Sequence, residues 1–462
     1  MLAPRGRLFP VLLLLVVTIL YGYAVLFLAT PIAQADRDGR EAQNLYLLAL
    51  GIVGLVHAAC SMRRRGSGAD WPALLLPAYA ALQLIPLPLA VLRVVSPARA
   101  ELVDALGPLG LAPAFAPISV APSLALSHFL LFAGYAIVFF LARGIVRKTL
   151  DTPWLAMLPI IGIAAWQGVL GLSQFLSPRA PPAHGSYAIR NHFAGMLAMS
   201  LPFALAFAGA ALTSRPLRGP LPAGLALRAG VGLAAAALIG VGILASLSRG
   251  GLAACAASIL VMAILESSAW LRGKRKWPIL LALGLVAVLA LAVLAPAQLT
   301  ERLTNVTSEG RVEVWHDTLH LIAAYPIFGT GLGGYVSAFE KFKTSEFEYV
   351  QDYAHNDYLQ FLAELGVIGF AIAAALLLTA LNRAVRASQQ SPDPGIHWLA
   401  VACSGALAAI LVHSTVDFNL YVPANATLLA WICGITAGGL VDPGEGHVVQ
   451  PDCPSDLPIQ AQ

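Results

Sequence analysis

Residues 310–339 read GRVEVWHDTLHLIAAYPIFGTGLGGYVSAF, and residues 353–370 read YAHNDYLQFLAELGVIGF. Between Gly310 and Gly369 runs the one long polar stretch of an otherwise lipid-soluble chain, gathering His, Arg, Asp, Glu and Gly where the rest has few. Apolar runs enclose it on both sides. Such a stretch reads as a water-facing segment of a membrane protein, and as the place where chemistry would be centred.

Hydrophobic residues make up 58% of the 462 and charged residues only 11%, against about 25% charged in an ordinary soluble domain. This excludes a string of soluble domains and predicts one all-α polytopic bundle. Runs of roughly 20 apolar residues span a bilayer. They fall at about 8–30, 43–62, 72–93, 124–146, 154–176, 193–213, 227–247, 251–270, 277–295, 358–381, 398–420 and 424–441, twelve in all. Ala33-Gln34-Ala35 resembles a signal cleavage site. The first run is nevertheless longer than the roughly 7–15 residues of a signal core, so it reads as a first membrane helix. Residues 1–443 form a single transmembrane domain on this reading, with a long, partly helical loop at 296–357 between the ninth and tenth helices. Residues 444–462 lack periodicity and read as a disordered tail.

Basic residues give the orientation. With the N-terminus inside, seventeen of the 28 Lys and Arg are cytoplasmic, including Arg63-Arg64-Arg65 and the cluster from Arg272 to Lys276, as the positive-inside rule expects. Both termini are then cytoplasmic, and the loops at about 94–123, 177–192 and 296–357 are external. A net charge of +4 gives no reason to expect nucleic acid. Cys60, Cys255, Cys403 and Cys433 lie in apolar runs and Cys453 in the tail, with no metal or disulfide spacing.

Three arginines go against the orientation rule. Arg190 ends Tyr187-Ala-Ile-Arg190, Arg249 lies in Ser248-Arg249-Gly250-Gly251, and Arg311 opens the long polar stretch. Snorkelling to lipid phosphate is the plain explanation for any one of them. Arg249 fits it least, because a hairpin this short holds it at the membrane boundary beside two permissive glycines. Guanidinium groups grip phosphate oxygens in pairs, so three around one hollow would suit a diphosphate.

Val312, Trp315, Leu319 and Ile322 recur at helical spacing, with Glu313, His316, Asp317 and His320 elsewhere around the wheel. This predicts an amphipathic helix in the outer interface, stopped by Pro326 and followed by tight turns at Gly329, Gly331, Gly333 and Gly334. A nucleotide loop would need a strand–turn–helix context, which this sequence lacks. His355 stands near Asp352, Asp357 and Glu364, where it is either a general base working near neutral pH or a histidine bonded in the interface. His413 and Asp417 lie four apart and are expected on one face of the eleventh run, orienting an acceptor or pinning the helix.

His355-Asn356, nine residues, Gly366, two residues and Gly369 make a pattern. With it stand Arg311…Trp315…Tyr325-Pro326…Gly329-Thr330-Gly331, Arg190-Asn191-His192, Ser248-Arg249-Gly250, and His413…Asp417-Phe418-Asn419…Pro423. Over roughly residues 180–425 this resembles the O-antigen ligase and polysaccharide polymerase superfamily of bacterial membrane glycosyltransferases. The resemblance implies a GT-C-type fold and an enzyme of the inner membrane with its active site on the periplasmic side. It implies a glycan donor linked to undecaprenyl diphosphate and an inverting, metal-independent transfer that needs no cofactor. His355 would be the catalytic base, and Arg190, Arg249 and Arg311 would bind the diphosphate. Asn191, His192, Ser248, Asn356, Asp357, Glu364, His413 and Asp417 would support them. No aspartate pair resembles the metal motif of metal-dependent GT-C transferases. The acceptor is left open among lipid A-core (O-antigen ligase), a lipid-linked glycan (polysaccharide polymerase) and a protein hydroxyl. A solute or bicarbonate transporter is the rival from another class. The lack of internal repeats and the crowding of ionisable groups on one side count against it.

Overall fold

The computed structural model describes residues 8–31, 36–61, 70–149, 152–178, 182–213, 222–270, 311–344 and 350–440. The expected ninth run at 277–295, the first part of the long loop, the Arg63 and Arg272 cation clusters and the tail lie outside them. The chain forms helices α1 (Leu8–Phe27), α2 (Arg37–Ser61) and α3 (Asp70–Leu82), then strand β1 (Leu87–Pro88), α4 (Leu89–Val95) and α5 (Pro97–Asp104). Strand β2 (Phe115–Ala116) follows, with α6 (Pro122–Lys148), α7 (Leu158–Phe175), α8 (Arg190–Thr213), α9 (Ala223–Ala245) and α10 (Arg249–Trp270). Beyond the long gap come α11 (Arg311–Ala324), α12 (Tyr335–Phe339), α13 (Asp357–Gln390), α14 (Pro394–His413) and α15 (Pro423–Gly439). Among the described residues the sheet is a single antiparallel pair, Leu87 opposite Ala116 and Pro88 opposite Phe115.

Eight of the described helices are long and apolar enough to cross a membrane. The protein is an all-α, polytopic membrane protein. Two of the expected runs end early. The third, read as 72–93, stops as helix at Leu82, because Pro86 and Pro88 supply no backbone N–H and Gln83 turns inward to bond other carbonyls. The eleventh, read as 398–420, stops at His413, so Asp417 lies in a turn beyond the helix and shares no helical face with His413.

Helix α8 is the central mast. Of its most apolar window 83% is buried, against 33% for α13. Between lipid and helix there is little hydrophobic drive, so association rests on close backbone approach and dispersion. Small residues supply that approach here. A Cβ on Gly168 of α7 would lie 2.5 Å from the Leu238 carbonyl oxygen of α9, and one on Gly232 of α9 would lie 2.9 Å from the Ala208 nitrogen of α8. Gly434 and Gly438, one turn apart on α15, press on α6 in the same way. A Cβ on the first would collide with the Phe139 carbonyl oxygen, and one on the second would sit 2.5 Å from the Arg143 carbonyl oxygen.

Helix α13 is broken once, at Gly366 (φ 61°, ψ −173°). A break in a membrane helix exposes backbone groups that lipid cannot satisfy, and several of those freed here find partners in neighbouring segments. Ala363 and Glu364 carbonyls accept from Thr330 N (2.9 Å) and Gly331 N (3.0 Å), while Val367 N donates to Pro326 O (2.9 Å). Tyr79 of α3 donates to Leu365 O at 2.7 Å, and Gln83 Nε2 donates to Glu364 O at 2.9 Å and Phe328 O at 2.8 Å. The glycines at 329, 331 and 333 all have positive φ, which lets the loop lie flat on the break. Gly334 does not.

Helix α11 forms where the periodicity predicts, with a different inward face. Val312 and Leu319 are exposed, and Val314, Asp317, Thr318 and Leu321 are buried. The reason is a polar partner: Thr318 Oγ1 bonds the Tyr335 hydroxyl at 2.9 Å, and Asp317 accepts from Thr344. Those bonds outweigh the apolar stripe.

Replacing Gly434 with Leu should separate α15 from α6 and cost at least about 1–3 kcal/mol, the usual price of overpacking. Gly240, whose Cβ position has nothing within 4 Å, should accept Ala without loss. Thermal unfolding of the detergent-solubilised protein distinguishes the two.

Candidate functional site

The turn between α14 and α15 is the hub of the site. Thr415 N bonds Val412 O, Val416 N bonds His413 O, and Asp357 N bonds both Ser414 O (2.9 Å) and Asp417 O (3.1 Å). The Asp357 carboxylate accepts from Ser414 Oγ at 2.7 Å and Leu420 N at 3.2 Å. Asn356 caps α13 by accepting from Tyr358 N (3.0 Å) and Leu359 N (3.2 Å), and its Nδ2 donates to Thr415 O at 3.0 Å. Asn356 and Asp357 therefore staple the start of α13 to the turn. Residue 355 is held just outside the cap.

His355 occupies the left-handed backbone region (φ 51°), a conformation that costs a non-glycine residue about 1–3 kcal/mol. Its side chain is 36% exposed, whereas those of His192 and Asp417 are 0% and 2%; of the three, His355 is the one a solute can reach. The carboxylate beside it is Asp417, not Asp357 or Glu364. Asp417 Oδ1 lies 3.7 Å from His355 Nδ1 and 3.6 Å from His192 Nε2. Phe418 stands between the two imidazoles, edge-on to both at 4.7 and 4.8 Å, and stacks on Tyr353 at 4.3 Å.

This cluster is poor in hydrogen bonds. Both ring nitrogens of His192, Nδ1 of His355 and of His413, Oδ2 of Asp417 and Nδ2 of Asn419 have no hydrogen-bond partner. Each such buried group costs about 1–3 kcal/mol, and native cores contain few of them. Six atoms on five residues around one turn mark a place kept for something other than packing. Burial raises the Asp417 carboxyl, but the imidazoles of His192, His355 and His413 more than offset it and leave the group well below the ordinary carboxylate range. Asp417 is thus an anion at any physiological pH. Its contribution to stability is complete above the ordinary carboxylate pKa and is lost only in stronger acid.

The three expected arginines each begin a helix: Arg190 starts α8, Arg249 starts α10 and Arg311 starts α11. All three helix starts abut the hub. A Cβ on Gly195 of α8 would lie 3.0 Å from His413 Nδ1 and would strike Asn419, and one on Gly250 of α10 would lie 2.8 Å from the same imidazole. Arg311 Nη1 donates to Val416 O at 3.1 Å. Ser248 accepts from Gly251 N at 3.2 Å and so caps α10, directly after Leu247, the other described non-glycine residue with positive φ. Asn191 and Arg190 are half-buried in the first turn of α8.

Glu364 stands elsewhere. It is buried and accepts from Gly333 N (2.8 Å), Tyr335 N (3.1 Å), Gln360 Nε2 (3.1 Å) and the Tyr421 hydroxyl (2.8 Å). Burial and the neighbouring Glu364 carboxylate hold that hydroxyl protonated. Glu364 is the bolt of the glycine loop, too occupied to exchange protons with His355.

Sequence reasoning gave no role to Phe418, Tyr353, Asn419 or Asn425. Asn425 links the Tyr187 hydroxyl (2.9 Å), the His192 carbonyl (3.0 Å) and Asn419 Oδ1 (2.9 Å). The available signal was two asparagines six residues apart within otherwise membrane-like sequence, a costly placement without a polar neighbourhood.

Glu364→Ala would strand four buried donors and should cost several kcal/mol, at about 1–3 kcal/mol per orphaned group. Glu364→Gln, which keeps the acceptor oxygen, should cost much less. Urea or thermal unfolding in detergent measures the difference.

Compared with known proteins, residues 234–374 match a family model described as O-antigen ligase. They include Ser248, Arg249, Arg311, His355, Asn356, Asp357 and Glu364. No curated protein matches the chain.

Proposed function

We propose that this chain, whose residues 234–374 match a family model described as O-antigen ligase, is a membrane glycosyltransferase that moves a glycan from undecaprenyl diphosphate to a sugar hydroxyl. The acceptor is lipid A-core or a second lipid-linked glycan. The reaction runs on the periplasmic side of the inner membrane, with both termini of the chain in the cytoplasm and residues 1–443 acting as one transmembrane unit. One observation supports this reading above the rest: a solvent-reaching imidazole beside a buried anion, at a turn on which three arginine-led helices converge.

His355 acts as the base. Asp417 faces Nδ1 and favours the tautomer with its proton there, which leaves Nε2 to accept. The 3.7 Å separation is longer than a hydrogen bond, as is common before substrate tightens a site. The acceptor oxygen attacks the anomeric carbon, its proton passes to His355, and the bond from that carbon to the diphosphate oxygen breaks with inversion. Negative charge grows on the departing diphosphate. Arg190, Arg249 and Arg311 offset it, and fixed charges that oppose developing charge in a dry site usually supply the largest catalytic effect. Because these cations are permanent, the transfer itself needs no metal. His192 faces Asp417 from the buried side, and Asn356, Asp357 and Ser248 fix the backbone that carries the base and Arg249.

His355→Ala should lower glycan transfer by about a hundredfold to ten-thousandfold, the usual contribution of a general base, with membrane level and thermal midpoint unchanged. Transfer near the wild-type rate would remove His355 from the mechanism. Arg249→Lys keeps the charge but loses the paired N–H fork, and should cost roughly tenfold to a hundredfold, the value of a charged hydrogen bond. Deleting the gene and resolving surface glycan on a gel separates the two acceptors: free core with accumulated lipid-linked polymer indicates ligation, and single repeats indicate polymerisation.

A further inference from the structure

Helix α11 carries a second group of side chains, away from the hub. His316 and His320 are one turn apart and exposed, and Asp317, at one and three residues from them, is buried. Positions i, i+1 and i+4 of a helix form one contiguous patch. Their ligand atoms all lie within 4.8 Å of one another, His316 Nδ1 and Asp317 Oδ1 are 3.6 Å apart, and the two imidazoles meet edge to face at 4.6 Å. The transfer chemistry uses none of the three.

We infer that His316, Asp317 and His320 bind a divalent transition-metal ion of the zinc class. Two imidazoles and a carboxylate are the donors such ions prefer, while Mg²⁺ and Ca²⁺ prefer oxygen alone. Bonds of about 2.0–2.2 Å in tetrahedral geometry put neighbouring ligand atoms about 3.4 Å apart. The His316–Asp317 pair is already close to that spacing, and an exposed His320 ring turns to meet it. The carboxylate is aimed beforehand: Thr344 N donates to Oδ2 at 2.9 Å and Thr344 Oγ1 donates to Oδ1 at 2.6 Å. A ligand braced in this way binds more tightly than a loose one. Three protein ligands leave a fourth position open to solvent. The ion therefore holds two exposed rings of α11 against the carboxylate that Thr344 aims.

Titrating Zn²⁺ into the purified full-length protein in detergent, followed by calorimetry, tests the site without donor or acceptor. The expected result is one equivalent bound at micromolar concentration, a Zn²⁺-dependent rise in thermal midpoint, and no binding of Mg²⁺. His316→Ala and His320→Ala should each weaken binding at least tenfold, with the zinc-free thermal midpoint unchanged because both rings are exposed. Asp317→Asn, which keeps an oxygen for Thr344, should weaken it as well. Absence of Zn²⁺ binding by the wild type would overturn the inference. So would full binding by the His316→Ala/His320→Ala double variant, which would locate the ion elsewhere. Neither outcome bears on the role of His355.

Discussion

Backbone amides in an apolar protein have nowhere to turn except to other protein groups, and the break at Gly366 is where this chain meets that demand most acutely. The short half of α13 belongs to the site and the long half to the membrane. Between them the helix carbonyls are taken by Thr330 and Gly331, and by Tyr79 of α3 and Gln83 just after it, almost three hundred residues earlier in the chain. The glycine loop from 329 to 333 exists to lie against that break. The two glycines of the His-Asn-to-Gly pattern have equally physical roles. Gly366 is the break itself, and Gly369 makes room for Tyr79, whose Cε1 would lie 2.6 Å from any Cβ there.

From that repair follows the placement of the site. Glu364 bolts the loop to the short half of α13, Asp357 bolts the same half to the turn after α14, and Asn356 caps it. Three residues of one short helix thus fix the position of a fourth, His355, that precedes it. Six polar atoms around Asp417 are left without hydrogen-bond partners, while the carboxylates of Asp357 and Glu364 are bonded several times over. Rigid surroundings and an unsatisfied centre are what a preorganised site requires.

Much of this was legible in the residues. Membrane spans were readable in part because bilayer thickness imposes a length and a composition: the eleven expected runs outside the undescribed one all contain helix, but those at 43–62, 72–93 and 424–441 are not among the eight described helices long and apolar enough to cross. His355, His413 and Asp417 were singled out as polar residues in an apolar chain and His192 through the family resemblance, and the four meet at one turn. What escaped was governed by contacts distant in sequence. The buried face of α11 is set by Tyr335 and Thr344, so its own periodicity points to the wrong stripe. Glu364 looked like a partner for His355 because it is nine residues away, and only the fold shows it engaged by the glycine loop. The His316-Asp317-x-x-His320 spacing was visible on the helical wheel, but its meaning rests on Thr344 aiming the carboxylate.

The three arginine-led helices carry one further consequence. Peptide dipoles place partial positive charge at the first turn of a helix, and a cation there is unfavourable by about 0.3–1 kcal/mol. Arg190, Arg249 and Arg311 each stand at such an end, so side chain and backbone push in the same electrostatic direction at three neighbouring points. Arg311 offsets part of that cost through its bond to Val416 O, and on the proposed function the diphosphate would meet side-chain and backbone fields of the same sign. On that proposed function, occupancy by the diphosphate and resistance to unfolding would be two expressions of one field.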